Sequence, residues 1–151
     1  MKKTLIFEQS SVIPCSAETL FRWHEAPDAF TKLMPPGEPV KVVRHDGHIR
    51  TGARAVLLVG HWPFRFRWEL EHQDYVAGER FCDVQTKGPF SFYRHEHIMR
   101  PVDHLSCVLL DRITMVMPFG RIGSWIGRKI MIPKFTRLFA FRHEVTKKAF
   151  A

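Results

Sequence analysis

Phe64-Arg65-Phe66-Arg67-Trp68-Glu69-Leu70-Glu71-His72 alternates a ring or apolar side chain with a charged one at every step. In an extended strand, successive side chains point to opposite faces, so Phe64, Phe66, Trp68, Leu70 and His72 share one face. Arg65, Arg67, Glu69 and Glu71 share the other. A helix would scatter both sets around its circumference. One buried and one solvated face belong to an antiparallel sheet that packs against something on one side only.

Outward from this strand the pattern repeats. Residues 4–13, 40–42, 53–60, 80–87, 91–100 and 105–116 read as further strands. Asp46-Gly47, Lys87-Gly88-Pro89 and Pro101-Val102-Asp103 mark turns, and no strand is followed by a helical crossover, so neighbours should pair as antiparallel hairpins. Pro14 ends the first strand and Ser16 can cap a helix from Ala17 to about Glu25. Ala17, Leu20, Phe21 and His24 fall on its apolar face. Pro27 can open a second short helix carrying Phe30, Leu33 and Met34, which Pro35-Pro36 stops. After Pro118 and Gly120 the period returns to 3.6. Trp125, Ile126, Ile130, Phe135, Leu138 and Val145 describe a helix from about Gly123 to Lys148, which Pro133 should kink or break. The fold class is α+β: a bent antiparallel sheet of about seven strands around a long C-terminal helix, a helix-grip arrangement.

At 151 residues the chain is expected to form one domain, 1–151, since two halves would be too small to bury good cores. Thirteen Phe and four Trp against two Tyr supply apolar area with little polar handle, suited to a thick core or a cavity wall. The net charge is +8, but the basic residues are dispersed, with no run longer than two. That favours a solvated surface over a nucleic-acid footprint. The apolar run after Met1-Lys2-Lys3 ends at Glu8, too early for a signal peptide, and no segment approaches a membrane span. Cys15, Cys82 and Cys107 are odd in number and lack CxxC spacing, which points to reduced thiols in the cytoplasm and to neither disulfides nor a zinc knuckle.

Candidate chemistry gathers on two strands. In residues 91–100, Arg94, Glu96 and Arg100 want water, so Tyr93, His95, His97 and Met99 should point inward. In the last strand Leu105, Cys107, Leu109, Asp111, Ile113 and Met115 share a face, which carries the Asp111 carboxylate inward. An odd connecting loop would set Asp111 opposite Tyr93 or His95. A buried carboxylate needs hydrogen bonds or a cation, and imidazole and phenol supply them. An even loop at Gly88 turns Cys82 inward, and an odd loop or bulge turns Asp83 and Gln85 inward instead; both alternatives stand. His24 faces either the cavity or the core. The cluster has four readings: a polar network fixing strand register, the polar end of a ligand site, a His–Asp acid–base pair, or a His-x-His plus Asp metal site.

Several stretches together resemble the START/SRPBCC superfamily. They are Phe21-Arg22-Trp23-His24-Glu25-Ala26-Pro27 with Leu33-Met34-Pro35-Pro36, Gly88-Pro89-Phe90, Tyr93-Arg94-His95-Glu96-His97, Leu109-Leu110-Asp111-Arg112 and Leu138-Phe139-Ala140-Phe141-Arg142-His143. The similarity is to bacterial domains that stand alone or precede an epimerase-like domain, and none is expected after residue 151. The resemblance implies a ligand cavity between helix and sheet. The expected function is non-catalytic binding or transport of a small hydrophobic or amphipathic molecule, without cofactor or metal. Phe66, Trp68, Tyr93, His95, His97, Asp111, His24 and Phe30 are expected to line the site. One alternative is a polyketide cyclase- or dehydratase-like enzyme, with His95 or His97 moving a proton, Asp111 orienting it and Tyr93 polarising a carbonyl. The other is a peripheral membrane or interaction module whose basic last helix meets anionic lipid. The chain is expected to be a monomer or a dimer.

Overall fold

Thr4–Ile13 forms β1, and the computed structural model, which describes residues 2–151, builds a seven-stranded sheet from it. The strands are β2 (Val40–His45), β3 (Arg54–Val59), β4 (Phe66–Val76), β5 (Arg80–Lys87), β6 (Phe92–Pro101) and β7 (Cys107–Val116), in the order β1-β7-β6-β5-β4-β3-β2. Every neighbouring pair is antiparallel. β2 through β7 form a meander of hairpins, and β1 closes onto β7 with Thr4 opposite Val116 and Ile13 opposite Cys107. This is the expected helix-grip fold.

Between β1 and β2 lie α1 (Ala17–Glu25) and the single turn α2 (Ala29–Lys32). Ser16 accepts a hydrogen bond from the Thr19 amide as the N-cap of α1, and the buried face is Ala17, Leu20, Phe21 and His24, as the spacing implies. The C-terminal helix runs as α3 (Gly120–Ile126), a π-helical turn (Gly127–Met131) and α4 (Ile132–Ala149). Pro133 does not break it. The proline falls in the first turn of α4, directly after the wide π turn, where a missing N–H is accommodated.

The helix buries only part of the stripe that its large apolar residues suggest. Phe135, Phe139, His143 and Thr146 are buried, while Trp125 and Ile130 are exposed, and Leu138 and Val145 lie at the margin. The reason sits at Gly127. A Cβ there would come within 2.4 Å of Leu5 Cδ1 and 2.9 Å of Met117 Cγ, so glycine lets the helix pack close against these two side chains without displacing them. The glycine face turns inward and its bulky neighbours turn out.

The core has two parts. Leu5, Phe7, Phe90, Tyr93, Ile113, Met115, Phe135 and Phe139 fill one, with Trp68 packed against it. Ile13, Leu20, Phe21, Phe81, Met99 and Leu109 belong to the other, beneath α1. Leu105 lies outside both, in the β6–β7 turn, where its amide donates to Asp103 Oδ1.

Candidate functional site

β6 and β7 are joined by a five-residue connection that sets His97, rather than Tyr93 or His95, opposite Asp111. β5 and β6 pair with Asp83 opposite His95 and Phe81 opposite His97, so Asp83 is the inward residue and Cys82 is not its substitute. Gln85 does not reach the cavity. Its amide clamps the Gly88-Pro89-Phe90 turn, donating to Phe90 O at 2.8 Å and accepting from Phe90 N at 3.3 Å.

Asp111, buried on β7, accepts from His95 Nε2 at 2.7 Å and from His143 Nε2 at 2.6 Å; His97 Nδ1 stands 3.1 Å away. An ionised carboxylate only accepts, so each of these nitrogens carries its proton toward Asp111. Burial would raise the Asp111 pKa, but the three imidazoles overcome it and hold the carboxyl well below its usual range. Asp83 behaves likewise. Burial works against its charge, while His72 and His97 hold its pKa well below the ordinary value. His97 Nε2 donates to Asp83 Oδ2 at 2.9 Å, and His72 Nδ1 lies 2.6 Å from Asp83 Oδ1 but out of line for a good hydrogen bond.

His97 therefore bridges two carboxylates. Burial alone would discharge it, but Asp111 and Asp83 push its pKa up to about 9, so it is an imidazolium at neutral pH. Its ring stacks on Phe81 with centroids 4.1 Å apart and planes 8° from parallel. His95 is driven the other way, to about 4, by burial and by the neighbouring His97 charge. His24 is lowered to about 4 by burial, and its Nδ1 donates to Leu20 O at 3.0 Å.

The cluster forms the polar end of a hollow of about 90 Å³. Phe30, Leu33, Ile49, Leu57, Leu70 and Phe81 supply most of its apolar wall, and His24, His72, Asp83, His97 and Arg142 its polar one. Arg142 reaches in from α4. Its Nε donates to Leu33 O at 3.2 Å, its guanidinium lies 5.1 Å from the Phe139 ring centroid, and burial lowers its pKa. Among the described residues no carboxylate pairs with it within 4.0 Å.

Of the expected site residues, His24, Phe30 and His97 line this hollow, while His95 and Asp111 stand behind His97 in the hydrogen-bonded cluster and do not reach the wall. Three fall elsewhere. Phe66 opens β4 at one end of the strand, opposite Val59, and is 39% exposed, because the alternating pattern runs on past the point where the helix covers the sheet. Phe64 lies outside the strand altogether, in the turn before it. Trp68 and Tyr93 pack on one another at 4.9 Å and on Phe90, in the filled half of the core rather than at the hollow. Four residues escaped the sequence reading. His72 lies on the inward face of the alternating stretch at residues 64–72. His143 was signalled by its spacing, four residues beyond Phe139 and eight beyond Phe135. Arg142 was marked only by lying in the resembling stretch at residues 138–143, and Ser11 gave no signal.

Ser11 Oγ, His143 and Asp111 make a hydrogen-bonded chain of the types found in hydrolases, with 2.9 Å between Ser11 Oγ and His143 Nδ1. Ser11 sits in mid-β1 opposite Leu109, among backbone groups committed to the sheet, and does not line the hollow. An acyl-transfer site would need free donors beside the nucleophile.

No protein-family model and no curated protein matches the chain. Solved structures do. Norcoclaurine synthase from Thalictrum flavum superposes with a TM-score of 0.72 at 12% identity, covering 98% of this chain and 87% of that one. The ZhuI aromatase/cyclase from Streptomyces sp. R1128 gives 0.68 at 12% identity, covering 99% and 98%. A START superfamily protein from Mycobacterium smegmatis gives 0.66 at 10% identity, covering 96% of each chain. The fold is START-like. At such identities the likeness carries the architecture, and START-like scaffolds differ in what their sites do. No helix among the described residues is long and apolar enough to cross a membrane.

Proposed function

We propose that residues 1–151 act as one domain that binds a small amphipathic molecule, its apolar body against Phe30, Leu57, Leu70 and Phe81 and its polar head at the His97–Asp83–Arg142 end. The observation that carries this reading is the hollow itself: an apolar wall ending on a charged cluster, in a fold otherwise filled with aromatic side chains. Ligand sites combine a largely apolar lining with a few placed polar groups in this way. Arg142 favours a head that is anionic or a strong acceptor, since its charge has no carboxylate partner. Sites for whole ligands usually span about 300–1,000 Å³, so occupancy requires the hollow to widen. The wall with least to hold it is α2, a single turn without a side-chain cap, tied to α4 through the Arg142–Leu33 hydrogen bond. A head group that recruits Arg142 would release that tie.

Titration with anilinonaphthalene sulfonate, an aromatic body with an anionic head, tests this directly. Fluorescence enhancement is expected in the wild type, lost in Ala29→Leu, which fills the hollow, and weakened about tenfold in Arg142→Met. Enhancement unchanged in both variants would place the dye elsewhere and refute the reading.

A second reading rests on His97, an imidazolium lining the hollow: turning its Nε2–H from Asp83 to a bound carbonyl would let it protonate that oxygen, and the neutral imidazole left between two carboxylates would take a proton back from the substrate or from water. This is acid catalysis of the cyclase or dehydratase kind. Turnover of a polyketide-like substrate abolished by His97→Gln, with dye binding retained, would favour it over carriage alone.

A further inference from the structure

Six large apolar side chains stand in solvent at one end of the sheet. Trp62 (79% exposed) and Phe64 (86%) occupy the β3–β4 turn, and Phe119 (83%), Ile122, Trp125 and Ile130 follow β7. The antiparallel register puts these two groups at the same end: β3 finishes and β4 begins where β7 finishes. β4 and β7 are three strand spacings apart, roughly 14 Å, so the groups form two separate prongs. Nothing in the fold accounts for Phe119, which holds a left-handed backbone (φ 65°) while its ring points into water.

The charge around them is of one sign. From Arg112 to His143 the chain has seven Arg or Lys and no Asp or Glu, and from Val59 to Trp68 it has Arg65 and Arg67 and no acid. The opposite end of the sheet carries Asp46, Glu79 and Asp103 at its turns. Arg67 pairs with Glu69, Arg112 with Glu8, and Arg142 lies at the hollow, but Arg65, Arg121, Arg128 and Lys129 have no acidic partner among the described residues. Scattered exposed apolar residues are ordinary, but Trp and Phe held out at one end beside such cations are the pattern of a protein seated in a lipid headgroup layer. A protein partner would be expected to face one continuous apolar patch with a well-packed centre, whereas two aromatic prongs at one level suit a fluid plane.

We propose that this end of the sheet docks on an anionic bilayer, with Trp62 and Phe64 as one insertion prong and Phe119, Ile122 and Trp125 as the other. Arg65, Arg121, Arg128 and Lys129 meet lipid phosphates and carboxylates. The surface lies at the start of the C-terminal helix and the β3–β4 turn, not along the basic faces of α4, and it stands independently of what the hollow binds.

Co-sedimentation of the full chain with vesicles of phosphatidylcholine alone, and of three parts phosphatidylcholine to one part phosphatidylserine, tests it. Binding should require phosphatidylserine and weaken with salt. Arg128→Ala and Lys129→Ala should each reduce affinity about fivefold. Trp62→Ser with Phe64→Ser should reduce it at least tenfold, and the wild-type tryptophan emission should shift to the blue on binding. All four positions are exposed, so thermal melts should stay unchanged and exclude misfolding. Equal binding to both vesicles, no binding to either, or indifference to the serine substitutions would overturn the proposal. So would a concentration-dependent dimer abolished by those substitutions in a protein that ignores vesicles, which would identify the surface as a contact between copies.

Discussion

The two halves of the space beneath the C-terminal helix are built from similar residue types and come out differently. In one, Phe7, Phe135 and Phe139 interlock with one another, and Trp68 with Phe90 and Tyr93, with ring centroids about 5–6 Å apart. In the other, α1, α2 and strands β2 to β5 surround a hollow whose inner end is occupied by imidazoles and carboxylates. Aromatic side chains close a core only where opposing surfaces can approach. Gly127 allows that approach at the β1 side, while the buried ions hold the other side open, because they must keep their hydrogen bonds rather than collapse. Stability is therefore expected to reside chiefly in the filled half and binding in the hollow one.

The largest test of that division is Phe139→Ala. It removes a buried ring from the filled half and should cost about 3–5 kcal/mol in chemical denaturation. Ala29→Leu, at the wall of the hollow, should change stability by less than about 1 kcal/mol, since it adds carbon where space exists. A comparable loss from both would mean that the hollow closes in solution.

Asp111→Asn comes next and probes the boundary between the halves. The amide keeps the shape but offers an N–H where three imidazoles point their own, so a loss of about 3 kcal/mol is expected. A near-neutral result would show that the network merely fills space.

The pH dependence sharpens the same point. His97 is raised from 6.5 to about 9 in the folded protein, so its contribution is fully present below pH 6.5 and is lost as pH rises through 9. His24 and His95 are lowered to about 4, so theirs is fully present above pH 6.5 and is lost as pH falls toward 4. Stability should peak near pH 6.5, and His97→Gln should flatten the alkaline limb and, by removing the charge that helps hold His95 down, soften the acid limb as well. Melts across this range that remain parallel for wild type and variant would contradict the bridging imidazolium.

Much of this was legible in the sequence, and the limits have physical causes. Strand alternation fixed the inward faces of β6 and β7, hence Tyr93, His95, His97 and Asp111, because a period of two leaves no other choice once the charged face is assigned. The same alternation misassigned Phe66, since periodicity does not register where a covering helix ends. Asp83 depended on an irregular β5–β6 connection, which no pattern of side chains encodes. The helix stripe was misjudged at Trp125 and Ile130 because the contact residue was Gly127, a residue with no hydropathy to read. The smallest expected effect follows from that correction: Phe66→Ser should alter stability by no more than about 0.5 kcal/mol and leave dye binding unchanged.

Native mass spectrometry of wild type and Ala29→Leu, each purified from the protein's own host, tests the central claim most directly. A small molecule retained by the wild type and absent from the equally stable Ala29→Leu would locate binding in the hollow half. The same molecule carried by both proteins, or an empty wild type beside an unchanged variant, would contradict it.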